Sequence, residues 1–429
     1  MTAIDRRAVL AGAAALPIAA QAATALPGGT PNGPNDESYW RAIAAHYDVT
    51  PGIIQLENGN WGIMARPVMA AYERAIERVN RDNSYYARRG FGADLDTIRT
   101  QVATALGAAP DEIGFARNAT EALRTLIQGY NRLRPGDAVL HADLDYDAMQ
   151  GYVEGLHRSR GVAVIKIALP EPATRQSLID SYARAFDANP RIRMVLLTHL
   201  SHRTGLALPL ADIIALAKSR GVDAIVDAAH SWGQLEAGTI AAGADFAGFN
   251  LHKWMGAPLG VGVFYIRKPR LADIDPDPGN NASGGATIGT TAESRLHTGT
   301  VNMAAQLTIP DALAFQGAIG TRARAARLRG LRDRWAEPLR TLDGLEILTP
   351  ADPALHAGIT AFRIRGRTSV ADNMAIAKTL LDEFGIFTVH RSGVAKGACV
   401  RVSPALFTTP AHIDALVRAL RIIVPRVAV

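Results

Sequence analysis

Between residues 112 and 266, short apolar runs alternate with longer helical stretches, and this alternation constrains the fold most strongly. Helical stretches such as Thr120–Tyr130 separate the first five runs, whereas a short loop joins the last two. Such alternation predicts an α/β fold with a mostly parallel seven-stranded sheet, covered on both faces. One of the last two strands is expected to run antiparallel. The predicted strands are Glu112–Ala116, Ala138–Ala142, Ala163–Ile167, Met194–Thr198, Ala224–Asp227, Phe246–Asn250 and Gly262–Ile266.

The C-terminal part of the chain carries a different pattern. From about residue 344 the order is strand, strand, helix, strand, strand, helix, which predicts a smaller α+β domain. A chain of 429 residues is long enough for two such domains. The predicted segments are a signal peptide at 1–25, a linker and N-terminal segment packing near the small domain at 26–65, a large domain at 66–298, and a connecting helix with the small domain at 299–429.

Paired arginines precede an alanine-rich apolar run at the N-terminus. Arg6 and Arg7 stand before a run that leads to Ala20-Gln21-Ala22, where small residues occupy the positions that a signal peptidase reads. This arrangement resembles a twin-arginine signal, so we expect export of the folded protein by the twin-arginine machinery and a periplasmic location. A retained N-terminal anchor is the alternative, although the run is short and broken by Pro17.

Charge and cysteine content argue against several kinds of site. The 46 basic and 40 acidic residues give a net charge of +6, and the arginines are scattered along the chain. This distribution favours solvated helix faces over a nucleic-acid-binding surface. Cys399 is the single cysteine, so the chain can form neither an intrachain disulfide nor a cysteine-based zinc site.

Asp227 ends one predicted strand, and Lys253 lies just after the end of another. In a mostly parallel sheet, ligands bind at the carboxyl ends of the strands, so we expect these two side chains to lie close together. Catalysis by pyridoxal phosphate (PLP) needs a lysine that forms a Schiff base with the cofactor. It also needs an acid that keeps the pyridine nitrogen protonated. Lys253 and Asp227 can supply both groups, and a structural lysine–aspartate pair is the alternative.

Two further strand ends carry residues that suit a planar, phosphorylated ligand. Ala119 and Thr120 begin a helix directly after a strand, where free N–H groups can bind phosphate or form an ordinary helix cap. Tyr146 also follows a strand, and its side chain can stack on a flat ring or belong to the core.

His199, His202 and Arg401 complete the set of candidate residues. The two histidines lack a convincing third ligand nearby in sequence, so we predict a polar loop over the active site and no metal. Arg401 lies on a late strand, and a guanidinium can bind a substrate carboxylate through two parallel hydrogen bonds. A surface arginine is the alternative.

Taken together, these motifs resemble the class V aminotransferase family of fold-type I PLP-transferases, and most closely its isopenicillin N epimerase-like branch. The resemblance covers roughly residues 50–425, and several motifs agree in order and spacing. It implies a PLP cofactor held by Lys253 as a Schiff base. It also implies that Gly299 and Thr300 reach the phosphate of the other subunit, and therefore a homodimer with active sites at the interface.

The resemblance also implies a role for each remaining position. Asp227 pairs with the pyridine nitrogen, His230 lies near the phenolic oxygen, and Tyr146 stacks on the ring. The residues implied to hold the phosphate are Ala119, Thr120, Asn250 and His252. The residues implied to line the substrate site are Asn58, Gly59, Asn60, Trp61, His202 and Arg401.

Two positions depart from the family pattern. Relatives often carry asparagine where His202 stands, which affects the contact near the ring edge. Cysteine desulfurases of the same family carry their nucleophilic cysteine on a mobile loop well before the arginine. Cys399 is only two residues before Arg401, so we interpret it as a buried structural thiol.

The implied enzyme acts on the amino group of an amino acid or a peptidyl amine. Once Lys253 has removed the α-proton, the reaction can end as transamination, epimerisation or β-elimination. We expect aminotransferase-type chemistry, with an epimerase or a β-lyase as the alternative and a non-catalytic PLP-binding protein as a further one. An epimerase needs a second acid, and Tyr146, His202 and Tyr86 are the candidates.

Overall fold

The computed structural model describes residue 27, residues 29–281 and residues 289–428. The predicted signal peptide therefore lies outside the described residues. The strands are β1 (Ile54–Gln55), β2 (Ile113–Ala116), β3 (Ala138–Ala142), β4 (Ala163–Ile167), β5 (Ile192–Thr198), β6 (Asp223–Asp227), β7 (Phe246–Asn250), β8 (Gly262–Ile266), β9 (Leu345–Ile347), β10 (Thr360–Ile364), β11 (Ile386–Phe387), β12 (Val389–Arg391) and β13 (Cys399–Val402).

Helices alternate with these strands along much of the chain. They are α1 (Glu37–Ala44), α2 (Arg66–Arg89), α3 (Phe91–Leu106), α4 (Ala119–Gly129), α5 (Asp147–Arg160), α6 (Arg175–Ala188), α7 (Leu210–Ser219), α8 (Pro278–Asn281), α9 (Met303–Leu307), α10 (Ile309–Ile319), α11 (Thr321–Leu339), α12 (Val370–Phe384) and α13 (Pro410–Val427). Among the described residues, no helix combines the length and the apolar character needed to cross a membrane.

The large sheet has seven strands in the order β2-β8-β7-β6-β5-β3-β4. Five strands lie side by side and run parallel to one another, in the order β4-β3-β5-β6-β7. Strand β8 runs antiparallel to both β7 and β2. The predicted α/β fold, with its mostly parallel sheet and one antiparallel strand among the last two, is therefore confirmed.

Both faces of the large sheet are buried. Along β5, Val195 and Leu197 belong to one hydrophobic cluster, whereas Met194 and Leu196 belong to another. Successive side chains of a strand point to opposite faces, so the two clusters are the two halves of the core. Helix α7 packs into the first cluster and α4 into the second. Because both faces are buried, successive residues of each strand must be apolar, and the strands therefore appear in the sequence as continuous apolar runs.

The C-terminal strands form a separate four-stranded antiparallel sheet in the order β12-β13-β10-β9. Helices α11, α12 and α13 cover it, and Trp335 of α11 is fully buried there. Strand β1 pairs in parallel with β11, which brings the loop that follows β1 close to the end of β13. The exact domain boundaries stay a prediction.

Candidate active site

A cavity of about 500 Å³ opens at one edge of the large sheet. Thr198, Asp227 and Asn250, the last residues of β5, β6 and β7, all line it. They converge because the three strands are parallel neighbours. The predicted site residues that line the cavity are Asn60, Ala119, Thr120, Tyr146, His202, Asp227, His230, Asn250, His252, Lys253 and Arg401.

Four other predicted site residues, Asn58, Trp61, Gly299 and Thr300, lie outside this lining. Trp61 points largely to solvent, with 52% of its surface exposed. Gly299 borders a smaller cavity of about 230 Å³ beside α3. Thr300 lines neither cavity in the described part of the chain. Because the implied role of Gly299 and Thr300 concerns a second subunit, that role stays a prediction.

Lys253 follows β7 and places its amine inside the cavity. The amine nitrogen lies 2.9 Å from Nε2 of His230. Burial lowers the pKa of Lys253 to about 8, and the carboxylate of Asp227 partly opposes this shift. A lysine with such a pKa is still mostly protonated at pH 7, but its neutral fraction is far larger than that of an ordinary lysine, and the neutral amine is both the nucleophile and the base.

Trp254 fixes the tautomer of His230. The indole Nε1–H donates to Nδ1 of His230 at 3.2 Å. An indole N–H can only donate, so this Nδ1 must be an acceptor. Burial and the nearby Lys253 hold the pKa of His230 well below its ordinary value, so the ring is neutral and carries its proton on Nε2. The Nε2–H therefore faces Lys253. Sequence reasoning missed this role, although Trp254 directly follows Lys253.

Asp227 is a buried carboxylate with a free oxygen. Its Oδ1 accepts the backbone N–H of Ala229 at 2.9 Å, and its Oδ2 has no partner among the described residues. Burial raises the pKa of Asp227, against the lowering effects of the Ala229 N–H and of Lys253. A buried carboxylate of this kind is stabilised by a cationic N–H placed in the cavity.

A second buried aspartate, Asp145, ties two strand ends together. It accepts the N–H of Ala142 at 2.7 Å and the hydroxyl of Thr198 at 2.6 Å. These bonds connect the end of β3 to the end of β5 and fix the backbone just before Tyr146. Burial raises the pKa of Asp145 to about 7, although these hydrogen bonds lower it. Sequence reasoning missed this role of Asp145.

At the start of α4, two of the free N–H groups are already used. The N–H of Ala119 donates to Oδ1 of Asn250 at 2.8 Å. The N–H of Glu121 donates to the side chain of Asn118, also at 2.8 Å. The N–H and hydroxyl of Thr120 have no partner in the described chain. Thr120 is therefore the group at this helix start that can bind an anion, while Ala119 and Asn250 hold the helix against β7.

Tyr146 and His202 lie together on another wall of the cavity. Their rings pack edge to face with centroids 5.1 Å apart, and Tyr146 is 40% exposed. Nδ1 of His202 is buried without a partner in the described structure, and burial holds the pKa of His202 well below its ordinary value. Tyr86 lies outside the lining, where its hydroxyl donates to Asp94 at 2.5 Å.

Arg401 is buried and already paired. Its Nη2 donates to both carboxylate oxygens of Glu57, with Oε2 at 2.6 Å, and its Nη1 donates to the carbonyl of His202 at 2.7 Å. Sequence reasoning missed Glu57, which directly precedes the predicted substrate loop. Of that loop, Gly59 and Asn60 line the cavity. Asn58 instead bonds to Ser403 at the end of β13.

Cys399 is fully buried on β13. Its thiol lies 3.9 Å from the carbonyl oxygen of Arg203 and 3.8 Å from that of Arg391. Burial raises the pKa of Cys399 to about 12. The predicted buried structural thiol is therefore confirmed.

The unpaired polar groups of the cavity fit PLP. Oδ2 of Asp227 can accept the pyridinium N–H, and the Nε2–H of His230 can donate to the phenolic oxygen. Thr120 can donate to the phosphate. His252 can join it, because its Nδ1 lies 3.2 Å from the carbonyl of Val261 and its Nε2 stays free. Lys253 then provides the amine that binds the aldehyde carbon.

The sequence matches one family model and is similar to epimerases and cysteine desulfurases. The family model described as Aminotransferase class-V matches residues 66–416. Isopenicillin N epimerase of Streptomyces clavuligerus is 28% identical over 402 residues, which cover 89% of this chain and 97% of that protein. A cysteine desulfurase of Klebsiella pneumoniae is 28% identical over 346 residues, which cover 77% of this chain and 82% of that protein.

Solved structures share the fold. The cysteine desulfurase CsdA from Escherichia coli superposes with a TM-score of 0.74 at 23% identity, covering 90% of this chain and 98% of that one. The cystine C–S lyase C-DES gives a TM-score of 0.73 at 23% identity, covering 86% of this chain and 98% of that one. A C-DES mutant was solved with glycine covalently linked to its PLP cofactor.

The family match spans both sheets and most of the cavity lining. Its boundaries include Lys253, Asp227 and Arg401, so the motifs that predicted PLP lie inside the matched region. The fold is that of fold-type I PLP enzymes, and PLP is the cofactor. This chain belongs to the class V aminotransferase family of PLP-dependent enzymes.

Proposed function

We propose that this PLP-dependent enzyme inverts the configuration at the α-carbon of a substrate that carries an amino group and a carboxylate. An amino acid or a peptide with a free amino-acid end is such a substrate. The observation that carries the proposal is that two proton-carrying side chains, Lys253 and Tyr146, line the same cavity. Two isopenicillin N epimerases that align with 89% of this chain support it.

Epimerisation requires removal of the α-proton on one face and return of a proton on the other. PLP, when bound, supplies an electron-withdrawing ring that stabilises negative charge at the α-carbon. Lys253 takes the proton, because its pKa of about 8 gives it a neutral fraction at neutral pH. Asp227 keeps the proton on the pyridine nitrogen, and His230 orients the phenolic oxygen.

Tyr146 is the proposed second acid. Its hydroxyl has no hydrogen-bond partner among the described residues, and its ring is held edge to face against His202. His202 is buried and neutral, and its pKa is held well below the ordinary value, so it is disfavoured as the protonated acid and Tyr146 is the donor of this pair. Tyr86 is dropped from the candidates because its hydroxyl is bonded to Asp94 outside the cavity.

Transamination, which the sequence placed first, becomes the second candidate. It requires a single side chain to carry the proton from the α-carbon to the cofactor. The lowered pKa of Lys253 favours it, because one amine can take up and return the proton near neutral pH. A desulfurase mechanism with a cysteine nucleophile is not proposed, since Cys399 is buried and its pKa is raised to about 12.

The experiment that tests the proposal is a screen of amino acids and amino-acid-terminated peptides with the holoenzyme in deuterium oxide. An epimerase incorporates deuterium at the α-carbon, produces the other stereoisomer and leaves no pyridoxamine phosphate. A transaminase produces pyridoxamine phosphate and a 2-oxo acid instead, and a β-lyase releases the β-substituent.

Two variants sharpen this screen. Lys253→Ala is expected to abolish deuterium uptake, because it removes the base. Tyr146→Phe is expected to keep deuterium uptake but to lose inversion, because only the second proton donor is removed. Inversion at the full rate in Tyr146→Phe would contradict the proposed role of Tyr146. Formation of pyridoxamine phosphate without inversion would replace the proposal with transamination.

A further inference from the structure

Two arginines and one glutamate lie together at the side of the cavity formed by the C-terminal sheet. Arg401 and Glu57 are buried, and Arg391 retains 28% side-chain exposure. Nη2 of Arg391 lies 3.5 Å from Oε1 of Glu57, so the glutamate stands between the two guanidinium groups. Two guanidinium groups thus face a single carboxylate, and one further carboxylate would balance the second guanidinium.

The hydrogen bonds of Arg401 leave it poorly suited to bind a substrate carboxylate. A guanidinium holds a carboxylate through one of two edges, Nη1 with Nη2 or Nε with Nη2, and both edges include Nη2. In Arg401 this Nη2 is occupied by both oxygens of Glu57, and Nη1 is bonded to the carbonyl of His202. Neither edge is free.

The loop before Gly62 also covers the flat face of Arg401. A Cβ atom on Gly59 would lie 2.6 Å from Nη2 and 2.7 Å from Cζ of Arg401, so only glycine permits this approach. The Glu57–Arg401 pair is further fixed by Ser403, whose hydroxyl lies 3.2 Å from Oε2 of Glu57. A substrate carboxylate would have to break this buried pair to reach Arg401, which is costly.

Arg391 has more unpaired donors than Arg401, in which only Nε lacks a partner among the described residues. Its side chain lines the cavity, and its Nε is buried without a partner in the described structure. Nη1 likewise has no partner there, and Nη2 makes only the long contact to Glu57. Burial and the neighbouring Arg401 lower the pKa of Arg391 to about 10, so it remains charged at neutral pH.

We propose that Glu57 is a specificity-determining residue: it occupies Arg401 and leaves Arg391 as the guanidinium that receives the substrate carboxylate. This inference rests on the proposed function, since it assumes a substrate with a carboxylate. The pocket then favours amines with a single carboxylate at this end, because Glu57 has already neutralised one of the two arginines.

Two small oxyamines test the inference on the holoenzyme. Aminooxyacetate and methoxyamine both displace the Lys253 amine from the cofactor carbon and change the visible absorbance, but only aminooxyacetate carries a carboxylate. The ratio of their second-order rate constants therefore measures carboxylate binding separately from the chemistry at the cofactor. Circular dichroism of each variant checks that it is folded.

Arg391→Ala is expected to lower this ratio by about 10-fold to 100-fold, the effect of losing a charge-assisted hydrogen bond. Arg391→Lys keeps the positive charge but removes the paired N–H donors of the guanidinium, so it should lower the ratio by a smaller factor. This variant tests the role of Arg391 if the alanine variant is not folded. Glu57→Gln should raise the ratio, because Arg401 becomes available. Arg365→Ala, which removes an exposed arginine paired with Asp343, should leave it unchanged.

Each other outcome has a definite meaning. An unchanged ratio in both Arg391 variants, or a ratio in Glu57→Gln that does not rise, would overturn the inference. In that case the proposed function would stand. A holoenzyme that reacts with neither oxyamine would overturn the proposed function itself and the inference with it.

Discussion

At the scale of single residues, burial controls the chemistry of the cavity. Burial is the largest cause of the lowered pKa of three side chains there, those of Lys253, His202 and His230. Burial disfavours the charged form, so bases become neutral. The same effect raises the pKa of Asp227, which a protonated pyridine nitrogen then counteracts. The site is therefore suited to a ligand that brings its own charges.

The pKa of Lys253 predicts a pH profile for the cofactor-free protein. Labelling of its amine with acetic anhydride should be half-maximal near pH 8, because the neutral amine reacts and dominates above the pKa. Lys268 is the control, since its ion pair with Asp111 raises its pKa above the ordinary 10.5. Mass spectrometry of the two peptides checks this. Midpoints that coincide near pH 10.5 would contradict the prediction.

The tautomer of His230 predicts an effect of Trp254. In Trp254→Phe, Nδ1 of His230 loses its donor, so the proton can move from Nε2 to Nδ1 and leave the phenolic oxygen without a partner. We expect a shifted pH midpoint of the visible cofactor band and a roughly tenfold lower rate. Trp232→Phe removes a tryptophan that packs on Phe249 instead and should change neither. Identical midpoints in the three proteins would exclude this role.

At the scale of elements, the loop after β1 decides how tightly the end of β7 is held. Gly62 donates its N–H to the carbonyl of His252 at 2.8 Å. A Cβ atom on Gly62 would lie 2.0 Å from the carbonyl oxygen of Lys253, which is closer than atoms can pack. The loop can therefore lie against Lys253 only because residue 62 has no side chain.

This close approach predicts opposite effects for two glycine-to-alanine changes. Gly62→Ala should lower the free energy of unfolding by about 1–3 kcal/mol and weaken PLP retention, because the loop must move away from β7. Gly151→Ala, inside α5 with open space around it, should raise that free energy by about 0.5–1 kcal/mol. Thermal unfolding of the holoenzymes measures both. A Gly62→Ala protein as stable as the wild type would disprove the packing argument.

At the scale of the whole molecule, the predicted homodimer depends on Gly299 and Thr300. Both residues lie away from the main cavity of their own chain, as a contribution to a partner's site requires. Export through the twin-arginine machinery likewise stays a prediction, because the signal lies outside the described residues.

The predicted shared site implies complementation between two impaired variants. Lys253→Ala lacks the base, and Thr300→Ala is expected to bind PLP more weakly. In a mixed dimer, one site combines an intact Lys253 with an intact Thr300 from the other chain. Activity should therefore rise when the two variants are unfolded, mixed and refolded together, and light scattering should give a dimer. Activity no higher than that of the separate variants would contradict a site shared between subunits.

The large sheet was predictable from the sequence because each of its strands is marked by a pattern within a few consecutive residues. Apolar runs such as Phe246–Asn250 have their predicted bounds, since strands buried on both faces need only a continuous run of apolar residues. The positions of Lys253 and Asp227 were predictable for the same reason: each lies at or just after the end of such a run, and parallel strand ends meet at one edge of the sheet. The resemblance then identified the cofactor.

Only the tertiary structure decided which groups of the cavity are free. Glu57 and Arg401 are 344 positions apart, and nothing local marks them as partners. Three other hydrogen bonds of the cavity also join residues far apart in sequence: Ala119 with Asn250, Thr198 with Asp145, and Trp254 with His230. The sequence by itself determined the fold and the lysine. Folding determined the hydrogen bonds, since a buried polar group pairs with whatever the packed chain brings within reach.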